Sequence, residues 1–233
     1  MANIIYYDLE TTGTDVCRDQ IVEIAGYREN TNTYYHKLIK SIVPISDEAS
    51  KVNKITNEEL INKQSFNQII CDFEDFIDFN NPFNVTYMIS HNNNNFDKIV
   101  LKAEYKRINR KLPNIVFIDT LPITRCLYPE LPNYKLGTLM KNMNIVSSNQ
   151  HEALDDVNSL YIVYNNCRKI KSDKELFEIS KTYILNKMPF GKYKNEYIKD
   201  IPESYVNWLK INIFNNSRNK DLIKGFKKYN PHY

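Results

Sequence analysis

The sequence predicts an α/β fold: a mixed sheet, made of an antiparallel meander and parallel strands, is flanked by helices and followed by a small C-terminal accessory domain. The first observation is that three strand-like segments precede the first helical pattern. The second is that strands then alternate with amphipathic helices, an order typical of mixed sheets. The third is the composition, because 42% hydrophobic and 12% aromatic residues in a chain of 233 support a packed core.

Residues 4–7, 20–28 and 33–43 have the apolar content of strands. The Asn30-Thr31-Asn32 segment suits a hairpin turn, so these strands are expected to form an antiparallel meander. A short helical turn is expected at 57–60, and a longer helix at 66–79. The apolar face of that longer helix consists of Phe66, Ile69, Ile70, Phe73, Phe76 and Ile77.

Strands at 85–89 and 115–118 are expected to alternate with helices at 96–110, 136–143 and 152–170. The basic residues that end the 96–110 segment favour a helix C-terminus there, where the helix dipole attracts cations. A charged stretch at 171–174 and a change of composition from Met188 onward predict a domain boundary. We therefore expect a first domain at 1–172, a linker with a short helix at 173–186 and an accessory module at 187–233.

The bulk charge identifies no partner, because 31 basic residues nearly balance 28 acidic ones. The four cysteines, Cys17, Cys71, Cys126 and Cys167, form no CxxC pair and have no histidine at zinc-ligand spacing. They are expected to be reduced thiols. The N-terminus has no basic segment followed by an apolar run, and no stretch approaches a membrane span. These features predict an intracellular protein without a signal peptide, in the cytoplasm or the nucleus.

Two carboxylates follow the apolar run of the first strand. Asp8 and Glu10 in DLETTG are two residues apart, so their side chains leave the same face of the strand. Carboxylates this close repel each other unless a positive group lies between them. Oxygen ligands alone favour Mg²⁺ or Mn²⁺ over zinc. Taken alone, the pair is a weak signal that a solvated strand end would also give.

Two further stretches strengthen the prediction of a metal site. SHNNNNFDKIVL places Asp97 in the first turn of a helix that follows a strand. HEALDDV places His151 and Asp156 five residues apart around the start of another helix. Each stretch by itself is compatible with an acidic helix N-terminus, which the helix dipole favours. Three such acidic stretches in this order are much less expected by chance.

The ordered set resembles the DEDDh family of 3′→5′ exonucleases, which includes the proofreading subunit of bacterial DNA polymerase III and the three-prime repair exonucleases. The matching residues are Asp8 and Glu10, Asp97, and His151 with Asp156. The segment DTLPITRCLYPELPNYKLGTL at 119–139 is also similar to the family. The resemblance covers about residues 1–170 and implies a ribonuclease H-like fold.

The resemblance implies that Asp8, Glu10, Asp97 and Asp156 hold two Mg²⁺ or Mn²⁺ ions. One ion would activate a water molecule and the other would stabilise the leaving 3′ oxygen. His151 would be the general base, since its ordinary pKa lies near neutrality. The family's five-residue step from histidine to aspartate selects Asp156, which leaves Asp155 as an outer or surface residue.

The chain departs from the commonest family pattern at two places. HNNNNFD is one residue longer than the usual form, a variant that the three-prime repair exonucleases share. VNKIT has Asn53-Lys54 where the family often has His-Gly. We expect this loop to lie away from the metal ligands and to affect contacts with substrate.

Residues near the acidic ones are candidates for contacts with substrate: Thr11, Thr12, Gly13, His91, Asn92, Tyr134 and Lys135. The first three are expected to approach the terminal nucleotide, although a plain turn would have the same composition. The next two either contact the strand or brace the helix of Asp97. The last two are expected to line the nucleic-acid path.

The segment MPFGKYKNEYIKDIPESYVNWL resembles a small C-terminal module found behind some exonuclease X-type nucleases. Lys192, Tyr193 and Lys194 combine positive charge with an aromatic ring, which suits single strands through phosphate attraction and base stacking. A solvated basic face over an aromatic mini-core would look the same. Trp208 is expected to belong to the core of the module.

The resemblance favours an enzyme that releases nucleoside 5′-monophosphates from the 3′ ends of DNA, single-stranded ends above all. An alternative is an exoribonuclease or oligonucleotide-trimming enzyme, because nothing in the sequence measures contact with a 2′-OH. Another alternative is a catalytically inactive nucleic-acid-binding or polymerase-docking protein. Against it, all five catalytic positions carry the expected residues. Nucleic acid is the expected partner, with a DNA polymerase or a replication or repair complex as a further one.

Overall fold

The computed structural model describes residues 3–16, 18–78, 81, 85–145, 153–214 and 219–233. The chain divides into two compact units, Met1–Ser180 and Lys181–Tyr233. None of the helices in the described ranges is both long and apolar enough to cross a membrane. In the same ranges, Cys71, Cys126 and Cys167 are free thiols.

A five-stranded sheet forms the centre of the first unit, in the order β3-β2-β1-β4-β5. The strands are β1 (Asn3–Thr11), β2 (Ile21–Arg28), β3 (Thr33–Leu38), β4 (Thr86–Ser90) and β5 (Ile115–Asp119). Strand β2 pairs antiparallel with β1 and β3, whereas β4 pairs parallel with β1 and β5. The predicted mixed sheet, a meander continued by parallel strands, is confirmed.

Eight helices are assigned to the described part of the first unit and its end. They are α1 (Asp47–Asn53), α2 (Asn57–Leu60), α3 (Phe66–Phe76), α4 (Asp97–Arg107), α5 (Thr120–Leu127), α6 (Leu136–Asn142), α7 (Ala153–Arg168) and α8 (Asp173–Thr182). Helices α3 and α4 pack on one face of the sheet, and α7 and α8 contribute to the core on the other.

Strand β1 separates the two cores because its side chains alternate between the faces. Ile5, Tyr7 and Leu9 belong to the core that contains α3 and α4. Tyr6 belongs to the core that contains α7. The even-numbered residues that follow on β1, Asp8 and Glu10, therefore leave the sheet on the side of α7.

The structure differs from the sequence prediction at β3, α1 and α5. Strand β3 ends at Leu38 instead of residue 43. Helix α1 was not predicted, because DEASKVN has no apolar period; Ser46 caps it by accepting a hydrogen bond from the Ala49 N–H. Helix α5 was not predicted either, because it contains Pro122. That proline is in the first turn, where a helix needs no backbone donor.

Helix α8 changes the predicted boundary between the domains. We expected a linker at 173–186, but Leu176 is fully buried and Phe177 packs beside it in the core that contains α7. The Ser180 hydroxyl accepts a 2.8 Å hydrogen bond from the Asp119 N–H. The first unit consequently extends to Ser180, because these residues complete its core.

The second unit has its own small core. A short 3-10 helix (Ile198–Asp200) precedes α9 (Glu203–Asn212) and α10 (Lys220–Tyr229), and an isolated antiparallel bridge joins Lys187 to Tyr197. The buried residues are Leu185, Met188, Ile198, Ile201, Val206, Leu209, Leu222 and Phe226. Both helices contribute one apolar face to this core and leave the opposite face to solvent.

Candidate active site

A cavity of about 700 Å³ lies at the carboxyl end of β1 and collects acidic side chains. Asp8 and Glu10 line it from β1, Asp97 from the first residue of α4 and Asp156 from the first turn of α7. These four predicted site residues are far apart in sequence. The fold brings them to one place.

The topology of the sheet explains this convergence. Strands β1 and β4 are parallel neighbours, so their carboxyl ends meet at the same edge of the sheet, where ligands bind in open α/β sheets. Asp8 and Glu10 end one strand, and Asp97 follows the other after a short turn. Helix α7 packs on the face from which the two β1 carboxylates emerge, and it adds Asp156.

Burial and neighbouring carboxylates raise the pKa values of Asp8, Glu10 and Asp97. The pKa of Asp8 lies well above its ordinary value, first because of burial and then because of the charges of Asp97, Glu10 and Asp156. Burial and the neighbouring Glu23 raise the pKa of Glu10 to about 7. Burial likewise raises the pKa of Asp97 to about 7. The cluster is therefore unfavourable as a set of bare anions at neutral pH.

The Asp97 carboxylate is buried and held by two hydrogen bonds. Only 3% of its surface is exposed. The Ser90 hydroxyl donates a 2.7 Å hydrogen bond to Asp97 Oδ2, and the Leu9 N–H donates another to the carboxylate. These two donors come from β4 and β1, so they fix the Asp97 carboxylate against both parallel strands.

The donor set fits a divalent cation. Four carboxylates supply only oxygen ligands, which hard cations such as Mg²⁺ and Mn²⁺ prefer. A cation would also relieve the repulsion that raises their pKa values. Among the residues that the structure describes, no three Asp, Glu, His or Cys side chains already form a metal-ligand cluster. The carboxylates thus share a cavity without forming a closed coordination shell.

Asn53 is a site residue that the sequence analysis placed wrongly. We expected its loop to lie away from the acidic residues, but the Asn53 side chain lines the same cavity and donates a hydrogen bond to the Glu10 carboxylate. It also donates to the Thr11 carbonyl at 3.3 Å and accepts from the Ile55 N–H at 3.1 Å. Helix α1, which the sequence pattern missed, carries Asn53 to this position as its last residue.

The two adjacent aspartates of α7 differ in their surroundings. Asp156 lines the acidic cavity, whereas Asp155 does not contribute to it. Successive helical residues point about 100° apart, so only one of the two faces β1. This placement agrees with the choice of Asp156 from the sequence.

The turn after β1 is held by its own side chains. The Thr11 hydroxyl donates to the Gly13 carbonyl, and the Thr12 hydroxyl donates to Asp19 Oδ1 at 3.0 Å. Asp19 Oδ2 also accepts from the Asp15 N–H at 2.7 Å. A Cβ at Gly13 would lie 2.5 Å from Asp19 Oδ2. The buried threonine side chains serve the turn, and their predicted contact with substrate stays a prediction.

His91 makes two internal hydrogen bonds. Its Nε2 lies 2.6 Å from the Tyr134 carbonyl, which can only accept, so Nε2 carries the proton. Its Nδ1 then accepts from the Thr120 hydroxyl at 2.8 Å. Burial lowers the pKa of His91 to about 4, so the ring is neutral at physiological pH. These bonds brace the end of β4 against the 134 loop, although His91 also lines the acidic cavity.

Asn92 lines the same cavity and adopts a left-handed backbone conformation, with φ at 65°. Its N–H donates to Asp119 Oδ1 at 2.9 Å. Tyr134 directs its hydroxyl to the Tyr128 carbonyl at 3.0 Å. Lys135 is exposed and lines a second cavity, of about 910 Å³, which Asp156 also lines. Contact of these residues with substrate remains a prediction.

His151, the predicted general base, lies outside the described residues. Lys192, Tyr193 and Lys194 lie in the second unit and are not among the residues that line the acidic cavity. Trp208 was expected in the core of that unit, but 46% of its surface is exposed. The expectation was wrong because Val206 and Leu209 form the buried face of α9, and Trp208 points away from it.

Family models match both parts of the chain. Residues 5–164 match the RNase_T family, described as "Exonuclease". Residues 174–222 match the QSregVF_b family, described as "Putative quorum-sensing-regulated virulence factor".

Curated relatives include polymerases that are much longer than this chain. DNA polymerase III PolC-type of Thermotoga maritima is 30% identical over 158 residues, which are 66% of this chain and 11% of the relative. The protein of the same name from Streptococcus agalactiae serotype III is 25% identical over 205 residues, 85% of this chain and 13% of the relative. The chain thus spans about a tenth of the length of these relatives.

Solved structures of exonuclease I have the same fold. E. coli exonuclease I in complex with a dA16 oligonucleotide has a TM-score of 0.65 and 22% identity, covering 76% of this chain and 42% of that one. Exonuclease I of Methylocaldum szegediense has a TM-score of 0.62 and 24% identity over similar shares. Together with the match over 5–164, this confirms the predicted ribonuclease H-like exonuclease fold. Exonucleases of this kind use divalent metal ions, and the chain belongs to the RNase_T exonuclease family.

Proposed function

We propose that the chain removes nucleoside 5′-monophosphates one at a time from the 3′ ends of DNA, with single-stranded ends preferred. The observation that carries the proposal is the acidic cavity, in which Asp8, Glu10, Asp97 and Asp156 meet at the carboxyl ends of β1 and β4. Burial and the neighbouring carboxylates raise the pKa of Asp8, and this repulsion supports a cation as the partner of the cluster.

The four carboxylates would hold two Mg²⁺ or Mn²⁺ ions. Such ions supply an activated water and neutralise charge on the leaving 3′ oxygen. The chain's own residues orient this site. Ser90 and the Leu9 N–H fix the Asp97 carboxylate, and the Asn53 amide fixes the Glu10 carboxylate. These hydrogen bonds restrict the Asp97 and Glu10 carboxylates, which would lower the cost of ordering them around cations.

His151 is proposed as the general base that takes a proton from the attacking water. The support is its position in the sequence, five residues before Asp156, and its ordinary pKa near neutrality. His91, which lines the acidic cavity, is unsuited to this role. Both ring nitrogens of His91 are engaged in internal hydrogen bonds, and its pKa is lowered to about 4.

The names of the relatives favour DNA over RNA as the substrate. The curated relatives are DNA polymerases of the PolC type, and several of the solved neighbours are exonuclease I bound to DNA oligonucleotides. The same relatives favour a setting in which the chain works beside a DNA polymerase, in proofreading or repair.

The experiment that tests the proposal uses one sequence made as DNA and as RNA, single-stranded and labelled at either end. The chain is incubated with each strand in Mg²⁺, Mn²⁺ or EDTA. We expect 5′-labelled DNA to shorten in single-nucleotide steps and 3′-labelled DNA to release a labelled mononucleotide. Both reactions should require metal, and cleavage of RNA should be slower.

A pair of neighbouring substitutions provides the matched control. Asp156→Asn removes a carboxylate that lines the cavity, whereas Asp155→Asn removes the adjacent carboxylate that does not. We expect the first to abolish metal-dependent release and the second to retain most of it. Equal rates in the two variants, or cleavage that persists in EDTA, would refute the proposed site. Faster cleavage of RNA than of DNA would support the proposed reaction and would show that the preferred substrate is RNA.

A further inference from the structure

The second unit differs from the first in charge. Residues 181–233 contain eleven basic and four acidic residues, a net charge of +7. Residues 1–180 contain 20 basic and 24 acidic residues, a net charge of −4. The balanced total for the chain hides this asymmetry. A small unit with so much positive charge attracts polyanions, because counterions leave a phosphate backbone when lysines neutralise it.

The same unit carries a stack of aromatic rings at its surface. The rings of Tyr205 and Trp208 are stacked, with centroids 5.3 Å apart and planes 16° apart. The ring of Tyr193 meets the Tyr205 ring edge-on at 4.7 Å. The stack ends in the indole of Trp208, which is 46% exposed. One indole face is covered by a ring, and much of the rest is accessible to a flat partner.

The Tyr193 and Tyr205 rings of the stack pack against the core of the unit, and Trp208 extends beyond it. The buried residues of α9 are Val206 and Leu209, and Trp208 is not among the residues of that core. Gly191, which has a φ of 77°, lies beneath the Tyr205 hydroxyl, and a Cβ there would come within 2.7 Å of that oxygen. The loop therefore packs closely on Tyr205 and steadies the stack without burying Trp208.

Lysines accompany the exposed rings. The Lys192 ammonium lies 5.2 Å from the centre of the Tyr193 ring. The ammonium groups of Lys187 and Lys199 lie 5.2 Å and 5.7 Å from the centre of the Tyr197 ring, which is 48% exposed. Proteins bind single strands without sequence preference by combining aromatic rings, on which bases stack, with basic side chains that contact phosphates.

We propose that the second unit binds single-stranded nucleic acid, with bases stacking on the Trp208 end of the aromatic stack and phosphates contacting Lys192, Lys194 and Lys199. The proposal rests on the proposed function for its choice of ligand class. A protein partner would also use exposed Trp and Tyr residues. The net charge of +7 and the nuclease domain in the same chain favour the polyanion.

The test uses the intrinsic fluorescence of Trp208, the single tryptophan of the chain. The full chain in EDTA, in which no turnover is expected, is titrated with a single-stranded oligothymidylate. A base that stacks on the indole should quench its emission in a saturable way. In parallel, the anisotropy of a dye-labelled oligothymidylate measures affinity for the wild type and the variants.

The variants separate stacking from charge. Trp208→Ala and the double variant Lys192→Glu/Lys194→Glu should each weaken binding by about tenfold. Trp208→Phe, which keeps an aromatic face, should weaken it less. Lys106→Glu/Lys111→Glu makes the same charge change at exposed positions of the first unit and should have a much smaller effect. Circular dichroism of each variant verifies the fold, and the lysine pair carries the test if Trp208→Ala does not fold.

The proposal is overturned if binding occurs without quenching and the Trp208 and lysine variants keep wild-type affinity. The strand would then be held by the first unit alone, and the aromatic surface would be open to a protein partner. Failure of the proposed function is distinguishable. Quenching without cleavage in Mg²⁺ would leave this proposal standing and refute the nuclease. Cleavage in Mg²⁺, together with unquenched binding and wild-type affinity of the variants, would refute this proposal and leave the nuclease standing.

Discussion

Asn53 shows how one side chain prepares the acidic site. It is 5% exposed, and its amide donates both to the Glu10 carboxylate and to the Thr11 carbonyl at the end of β1. The donated hydrogen bond lowers the pKa of Glu10, opposing the burial and the neighbouring charges that raise it. Asn53 is thus a positioning residue that keeps Glu10 available to a cation.

Replacing this amide should impair catalysis more than folding. Asn53→Ala removes a hydrogen bond to a charged group, and we expect about a tenfold loss in the rate of nucleotide release. The Mg²⁺ concentration that gives half-maximal activity should rise, which a purely structural defect would not cause. The matched control is Asn57→Ala, whose side chain accepts from the Ile45 N–H outside the cavity. An unchanged Mg²⁺ requirement in Asn53→Ala would contradict this role.

The raised pKa values predict how stability depends on pH when no metal is bound. In the folded chain Glu10 and Asp97 have pKa values of about 7, above their ordinary values of 4.5 and 3.8. Between these limits the folded state binds more protons than the unfolded state, so stability falls as pH rises. The contribution of these two carboxyl groups to the free energy of unfolding is fully present below pH 3.8, and it is lost as pH rises through about 7.

The measurement is the melting temperature, Tm, in EDTA and in Mg²⁺ from about pH 5 to about pH 8. In EDTA we expect Tm to fall across this range. The Asp97→Asn variant, which lacks one of the two titrating groups, is the control and should show a smaller fall. Mg²⁺ should raise Tm more at the alkaline end, because metal binds the deprotonated carboxylates. A rise in Tm with pH in EDTA, or an equal effect of Mg²⁺ at both ends, would contradict the prediction.

At the scale of elements, the run of four asparagines is a structured turn between β4 and α4. Asp119, at the end of β5, accepts hydrogen bonds from the N–H groups of Asn92, Asn94 and Leu121, each at 2.9 Å. The Asn93 side chain accepts from the Tyr7 hydroxyl and donates to the Ile118 carbonyl. The turn that delivers Asp97 to the cavity is therefore tied to the two strands on either side of β4.

Removing the Asp119 carboxylate should destabilise this turn strongly. Asp119→Ala leaves three N–H groups without their acceptor, and we expect the free energy of unfolding to fall by about 2–4 kcal/mol. Asp119→Asn keeps one acceptor oxygen and should cost less. Asp75→Ala, at an exposed position of α3, should stay within about 0.5 kcal/mol of the wild type. Urea unfolding measures all three, and equal stabilities of Asp119→Ala and Asp75→Ala would refute the argument.

For the whole molecule, the charge is divided between a catalytic unit of net −4 and a second unit of net +7. If the first unit acts on nucleic acid as proposed, cations would offset its negative charge at the site, and a basic unit in the same chain would help to capture the polyanion. The proposed cleavage and the proposed capture would thus belong to parts of the chain with opposite charge.

This division predicts a salt effect that depends on substrate length. Raising the salt from about 50 to about 200 mM should weaken the apparent affinity for a long single strand by about tenfold, because releasing counterions into a more concentrated salt solution is less favourable. Cleavage of a dinucleotide, which has one internucleotide phosphate, should change far less. Steady-state kinetics at both salt concentrations measure this. The same dependence for both substrates would argue against capture by the basic unit.

The sequence by itself determined the parts that depend on local pattern. Alternation on β1 put Asp8 and Glu10 on one face, and the family's five-residue step from His151 selected Asp156, which lines the cavity, over Asp155. Period changes located most strands and helices, because buried faces impose periods of 2 and 3.6 on the chain.

Only the tertiary structure decided what depends on contacts distant in sequence. Helix α1 carries no apolar period, so its existence and the contact of Asn53 with Glu10 followed from packing. The asparagine run became a turn because Asp119, 25 to 27 residues later, accepts its N–H groups. Trp208 is exposed because two other residues fill the core face of α9, a choice that hydrophobicity alone does not make.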